Sequence, residues 1–428
     1  MNVTLTTHPD RSFPVLHPRP AKGWLNDPNG IHFAGGRWHV YFQYNPASAR
    51  HNLIQWGHVS SADLVTWREE PVALMPQEGG PDAFGCWTGV GTVDDGVPTM
   101  VYSGVLSLDG TSEVVIARGD AGSVRFAQVG HVAASMPDDP DVIMVRDPFL
   151  FELEGRRFAI QGAGLADGRP ALLLYDASDL DHWTYHGTLL TGDHPVAAGL
   201  PEANVWECPQ LVRIGDDWVA IFSIWLDDVT LDVQYLVGSL ALGADGLPHF
   251  EPRAHGSADH GASFYAPQAV QVTDPAAGPE RVLLWGWARE VAPDGVRGRT
   301  QADNDAVGWS GMLTFPRELT LDGDQLVVSP ARELGALRGD SLDGVAVLPD
   351  QAEVLLAGSG TATLTLGDQT VWSGEVSDGT RILIDASVVE VYRDGDVATT
   401  LRAYPADGES YGLVLADGVS FEAWRLGA

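Results

Sequence analysis

The chain has 428 residues, is 44% hydrophobic with 14 Trp, and sets 58 Asp and Glu against 25 Lys and Arg, a formal net charge of −33. A field of that sign argues against nucleic acid and anionic membranes as partners, and the length predicts two domains rather than one core. Lys22 is the only lysine, which argues against Schiff-base chemistry and a phosphate-binding P-loop.

In chain order, the opening stretch MNVTLTTHPDRSFPVLHP has no charged segment leading into an apolar run. No later apolar run reaches membrane-spanning length, so a cytoplasmic, soluble protein is expected. Cys86 and Cys208 are too few for a disulfide framework and are expected as free thiols, with a single bridge left open.

Helical signals are scarce, and most segments alternate apolar and polar residues between Gly-containing turns. Five hairpin-like units follow one another: IHFAGGRWHVYFQY, GTVDDGVPTMVYSG, FLFELEGRRFAIQGA, QLVRIGDDWVAIFSI and QAVQVTDPAAGPERVLLWGW. Their lead-ins are LNDPNG, GCWTGVG, VRDPFL, WECPQL and FYAPQA. Asp27, Trp87, Asp147 and Glu207 are spaced by 60 residues each, with Pro267 at the next step. Five all-β units at one period predict a five-bladed β-propeller. Equivalent positions in successive blades would face a shared axis. Carboxylates at three of them, Asp27, Asp147 and Glu207, then converge on one pocket, where like charges shift one another's pKa values.

The repeat ends near GWSGMLTFPREL, Gly308 to Leu319. SPARELGALRG, Ser329 to Gly339, is the best candidate for a short helix or linker. From about Ser341 the chain turns to short strands with Asp-Gly turns, such as RILIDASVVEVYRDGDVATTLRAYP, which suit a small β-sandwich. The predicted organisation is an all-β chain: a catalytic propeller over residues 1–328, a linker or short helix over 329–340, and a C-terminal sandwich over 341–428.

These segments resemble glycoside hydrolase family 32, the β-fructofuranosidases. WLNDPNG is similar to the family's nucleophile motif, and YFQYNP, WGHVSSADLVTW, RDP, ECP and FYAPQ are similar to its later motifs. LLWGWARE, GWSGMLTFPREL and VEVYRDG extend the resemblance along essentially the whole chain. It implies a propeller followed by a sandwich, with Asp27 as nucleophile, Glu207 as general acid/base and Asp147 as transition-state stabiliser. Gln43 is implied to hydrogen-bond the fructosyl ring. His51 stands where many members have a pocket-wall tryptophan, Trp87 and Thr88 stand where Phe and Ser are usual, and Ser263 replaces an acidic residue.

Cleaving a fructofuranoside passes through an oxocarbenium-like transition state. It needs an ionised carboxylate on one side of the anomeric carbon and a proton donor at the leaving oxygen. Asp27 is expected to stay ionised, with the amides of Asn26 and Asn29 available to donate to it. Glu207 is expected to keep its proton, with a raised pKa. Arg146 is expected to hold Asp147 ionised and to bind a sugar hydroxyl. Trp56 and Trp87 either stack on sugar or pack in the core, Tyr265 either lines the site or packs, and Trp287 of LLWGWARE is a further substrate-binding candidate. Cys208, next to Glu207 in a strand, is expected to face away. Asp227 and Asp228 read as a surface turn.

The expected activity is retaining hydrolysis that releases β-D-fructofuranosyl units from sucrose or short fructo-oligosaccharides, with a carbohydrate partner, no cofactor and no metal. Alternatives are a fructosyltransferase, a sucrose-6-phosphate-specific hydrolase, a levan or inulin exohydrolase, an inverting arabinan-type glycosidase, and a non-catalytic sugar-binding propeller.

Overall fold

The alternating segments fold as strands throughout, and the chain is all-β. A computed structural model describes residues 8–108, 111–290, 298–342, 344–345 and 347–427. Among these, seven sheets, antiparallel but for one short parallel pair, account for most of the chain. The first holds Gly23–Ala34, Arg37–Asn45, Gln55–Ser61 and Trp67–Leu74 in sequence order, with Trp309–Ser310 added in parallel beside Gly23–Ala34. The next three are four-stranded meanders that start at Gly85–Asp94, Val142–Leu153 and Val205–Ile214. The fifth starts at Phe264–Val272 and runs through Arg281–Ala288 and Arg317–Asp322 to Gln325–Pro330. The hairpin turns at Gly35-Gly36, Asp95-Gly96, Gly155 and Gly215-Asp216 fall where the sequence puts them.

The first strand of each sheet packs against the first strand of the next, and the fifth returns to the first. A strand in that ring has neighbours on both faces, so Gly23–Ala34 and Val205–Ile214 are buried along most of their length, polar residues included. Each of these inner strands carries the same irregularity. The ladder breaks between Asn26 and Pro28, Cys86 and Gly89, Arg146 and Phe149, Glu207 and Gln210, and Tyr265 and Gln268. Inside three of these bulges a non-glycine residue turns left-handed: Asp147 at φ 61°, Cys208 at φ 49° and Ala266 at φ 44°. Such a residue costs about 1–2 kcal/mol, and the neighbouring sheet meets its amide. Asp147 N–H donates to Ser103 Oγ at 2.7 Å, Cys208 N–H to Asp147 Oδ2 at 2.9 Å, and Ala266 N–H to Ser223 Oγ at 3.0 Å.

The bulges correct two expectations. Strict alternation would turn Cys208 away from the axis, yet the extra residue re-aims the strand and the thiol points inward. The strict 60-residue step also misplaces Glu207 by one: Cys208 occupies the bulge position that Asp147 holds, and Glu207 precedes it as Arg146 precedes Asp147.

After Pro330 a 3-10 turn, Arg332–Leu337, leads into Arg338–Ser341, already an edge strand of the C-terminal sheets. Those two sheets enclose a separate apolar core that includes Val354, Leu364, Trp372, Ile382 and Val391. A short α-helix that periodicity missed, Gln301–Val307, starts at a Thr300–Asp303 capping box and ends at left-handed Gly308. No helix among the described residues is long and apolar enough to cross a membrane.

Candidate active site

Three inner-strand carboxylates meet at the bulges. Asp27 and Asp147 are buried, and Glu207 is the most open, its side chain 15% exposed. Asp27 accepts from Asn26 Nδ2 at 2.9 Å, from Gln43 Nε2 at 3.0 Å and from the Thr88 hydroxyl. The Cys208 Sγ lies 3.7 Å from Asp27 Oδ2 and 3.6 Å from Asp147 Oδ2, wedged between the two acids. Glu207 accepts from Arg146 Nε at 2.9 Å and from the Tyr265 hydroxyl at 2.7 Å.

Burial pushes the Asp27 carboxyl up to about 6, helped by the charge of Glu207 and opposed by the Thr88 and Asn26 hydrogen bonds. Burial and Glu207 also push Asp147 upward, against Arg146. The Cys208 thiol is driven up by burial and by both aspartates, so it stays a thiol and is no nucleophile. Arg146 keeps its charge against burial because Glu207 and Asp147 favour it. As expected, the Arg146 charge favours ionised Asp147, but its hydrogen bond goes to Glu207. Asn29 does not reach Asp27 either. Its Oδ1 accepts from Gly89 N–H at 3.1 Å, which ties the first inner strand to the second.

An arc of rings walls the site from the Asp27 side to the Glu207 side. Trp87 meets His51 (centroids 5.7 Å), His51 meets Trp24 (6.0 Å), Trp24 meets Trp287 (5.6 Å) and Trp287 meets Tyr265 (6.4 Å), all edge to face. Trp225 extends the wall beneath the Arg146 guanidinium, 5.2 Å from its ring. Gly311, at φ 70°, lets the chain pass behind Trp287. A Cβ there would meet the Leu25 carbonyl oxygen at 1.9 Å and the Trp287 indole nitrogen at 2.7 Å.

Of the candidates read from sequence, Asn26, Asp27, Gln43, His51, Trp87, Thr88, Arg146, Asp147, Glu207, Tyr265 and Trp287 come together here. Trp56 does not. It is wholly buried with Tyr41, Met100 and Tyr102 in a satellite core, its indole N–H spent on the Trp87 carbonyl at 3.1 Å. Sequence reasoning missed Trp24, Trp225, Ser103 and the inward thiol of Cys208. A signal for the last was present: proline inside four of the five lead-ins, at 28, 148, 209 and 267, marks a bulge in an otherwise central strand. Asp227 and Asp228 lie exposed in a turn. Both cysteines are free and buried. Among the described residues no cluster of His, Cys, Asp or Glu is arranged to hold a metal ion.

Residues 17–330 match the family model for the glycosyl hydrolases family 32 N-terminal domain. A sucrose-6-phosphate hydrolase from Klebsiella pneumoniae is 32% identical over 97% of this chain and 94% of its own length. A raffinose invertase from Escherichia coli is 29% identical over 95% of this chain and 92% of its own. Among solved structures, a family 32 β-fructofuranosidase from Bombyx mori superposes with a TM-score of 0.79 at 23% identity, covering 97% of this chain and 94% of that one. A sucrose-6-phosphate hydrolase from Lactobacillus gasseri superposes with a TM-score of 0.80 at 20% identity, over 98% and 94%.

Proposed function

The chain belongs to glycosyl hydrolase family 32 and is a fructofuranosidase-type glycoside hydrolase, and from that premise we propose that Asp27, Asp147 and Glu207 divide a retaining double displacement among them. Asp27 attacks the anomeric carbon of a β-D-fructofuranosyl unit as Glu207 gives its proton to the departing glycosidic oxygen. Glu207, now a base, takes a proton from water, whose oxygen displaces Asp27 and releases fructose with its configuration kept. Asp147 accepts sugar hydroxyls and faces the developing positive charge. The observation that carries the reading is the surplus of acid: carboxylates from the first, third and fourth inner strands come together around one guanidinium, Arg146.

The supporting contacts fit these tasks. The donors on Asp27, from Asn26, Gln43 and Thr88, hold it as an oriented anion. Tyr265 and Arg146 hold Glu207 from two sides, aimed at the position of the leaving oxygen. The aromatic arc supplies ring faces and edges for a sugar, with Trp87, His51 and Trp287 as substrate contacts. Sucrose and short fructo-oligosaccharides are the proposed substrates, in keeping with relatives named for sucrose 6-phosphate and raffinose. We read the five ringed sheets, Gly23 to Pro330, as blades of a propeller joined through the turn Arg332–Leu337 to a β-sandwich that runs from Arg338 to Leu426, close to the expected bounds at 328 and 341. The cyclic packing of the inner strands and the superpositions support this reading.

The test is fructose release from sucrose, sucrose 6-phosphate, kestose, inulin and levan, with Asp27→Asn alongside and the first-formed anomer followed by NMR. Release with retention is expected, and Asp27→Asn should lower it on the order of 10⁴-fold. Inversion, or turnover surviving in the mutant, overturns the nucleophile assignment. A ranking led by sucrose 6-phosphate or a polymer reassigns the substrate.

A further inference from the structure

Gln43 bonds to the nucleophile through an amide that has two possible orientations, and the surrounding groups decide between them. Thr88 gives its hydroxyl proton to Asp27 Oδ2, so its oxygen faces Gln43 as an acceptor. Ionised Asp27 is also an acceptor. Gln43 must therefore present its NH₂ to both, and it does, with Nε2 at 3.0 Å from Asp27 Oδ2 and 2.7 Å from Thr88 Oγ1. That leaves Gln43 Oε1 facing outward, where His51 Nε2 meets it at 3.2 Å. An amide oxygen only accepts, so His51 must carry a proton on Nε2 and donate it.

Asn26, the other amide on Asp27, is fixed by the same logic. The Trp24 indole N–H donates to Asn26 Oδ1 at 2.6 Å, and Asn26 Nδ2 then donates to Asp27 Oδ1 at 2.9 Å. Each carboxylate oxygen of Asp27 thus receives an amide whose orientation is set by a ring N–H one layer further out. Trp24 and His51 touch edge to face, and Trp87 closes on His51 from the other side, so the rings that set the two amides support one another.

We infer that His51 is a positioning residue for the nucleophile: its Nε2–H anchors Gln43 Oε1 from outside and so holds the Gln43 NH₂ at its place on Asp27 Oδ2. This rests on the proposed role of Asp27. Without that bond the amide still turns its NH₂ to Asp27 and Thr88 but loses its outer anchor, so the donor drifts from Asp27 Oδ2 and stabilises the carboxylate less. His51 then acts on the attacking atom through Gln43 and needs no contact of its own with the reacting carbon.

The test compares wild type with His51→Phe and His51→Ala, which remove the donor, and His51→Gln, whose amide restores one. The reads are kcat, KM and the pH profile of kcat/KM, with melting temperature as a folding control. Removing the donor is expected to lower kcat/KM by about two- to tenfold and to move its acid limb upward, since Asp27 then ionises less readily. His51→Gln should recover both. A crystal structure of either donorless variant should show the Gln43 side chain displaced from Asp27. The inference is overturned if the acid limb stays in place, if KM alone changes, or if His51→Gln behaves like His51→Phe. Those outcomes leave the Asp27 assignment standing so long as wild type releases fructose and Asp27→Asn does not. Loss of that contrast sinks the assignment itself.

Discussion

Among the described residues, two clusters of buried acids are built on opposite terms. In the site, Asp27, Asp147 and Glu207 face one guanidinium. At the junction with the C-terminal sheets, Asp259, Asp385 and Glu390 face two cations and a set of backbone donors. Arg317 reaches Asp259 at 2.9 Å and Glu390 at 2.8 Å, and His17 bridges Asp385 at 2.8 Å and Glu390 at 3.1 Å. The amides of Val15, Leu16 and His17 converge on Asp385, and that of Phe315 on Glu390. Against burial, Arg317 and His17 hold Glu390 down to about 2, whereas burial lifts Asp27 to about 6. Asp259 is an intermediate case, raised by burial even with Arg317 beside it. Burial alone therefore does not separate a reactive carboxylate from a structural one. The ratio of cations and committed donors to carboxylates does.

The largest effect expected from that contrast is at the junction. Arg317→Met leaves Asp259 and Glu390 buried without their shared cation and should cost about 3–5 kcal/mol. Urea unfolding would measure it, and the folded fraction should keep the wild-type kcat. A loss of activity without a loss of stability would break the comparison by tying the junction to the reaction.

The clusters also titrate in opposite senses. Glu390, depressed in the folded state, contributes stability that is present above its unfolded value of 4.5 and is lost as pH falls toward 2. His17, raised by Asp385 and Glu390 against burial, contributes stability that is present below 6.5 and is lost as pH rises through its folded value. Asp27 runs the other way from Glu390: raised from 3.8 to about 6, it costs stability once pH climbs past that window. Asp27→Asn removes the cost. Its stability relative to wild type should improve by about 2–3 kcal/mol between pH 4 and pH 7. Some of the absolute gain is cancelled where the new amide meets the donors of Asn26 and Gln43. Thermal melts of both proteins across that range would show it, and a flat difference would mean that Asp27 is not an unfavourably buried anion.

The two clusters were unequally legible from sequence. The site could be read because its acids sit in lead-ins that recur with the blade period, and a period survives in one dimension. The junction could not: Arg317, Glu390 and His17 are far apart in the chain and share no repeat. Even within the site, the period carried positions better than directions. Strand alternation points Cys208 outward, and only the left-handed bulge, flagged by Pro209, turns it in. Trp56 opens one of the family-like motifs, yet packing between sheets drew it fully into the core. The pairing of Arg146 with Glu207 instead of Asp147 is likewise set by how adjacent bulges face each other, which neighbouring letters do not encode.

The smallest expected effect isolates burial from pairing geometry. Arg253 bridges Asp324 at 2.7 Å and Asp217 at 2.8 Å, contacts as short as those of Arg317, but its side chain is 40% exposed and its partners are 54% and 33% exposed. Water screens such a pair, and ordering three exposed side chains offsets most of the attraction. Arg253→Ala should therefore shift unfolding free energy by no more than about 0.5 kcal/mol, and less in high salt. A cost near that of Arg317→Met would mean that distance, and not desolvation of the charges left behind, sets what an arginine contributes here. The contrast drawn between the two acid clusters would then lose its physical basis, because it assumes that carboxylates matter to stability in proportion to how far water is kept from them.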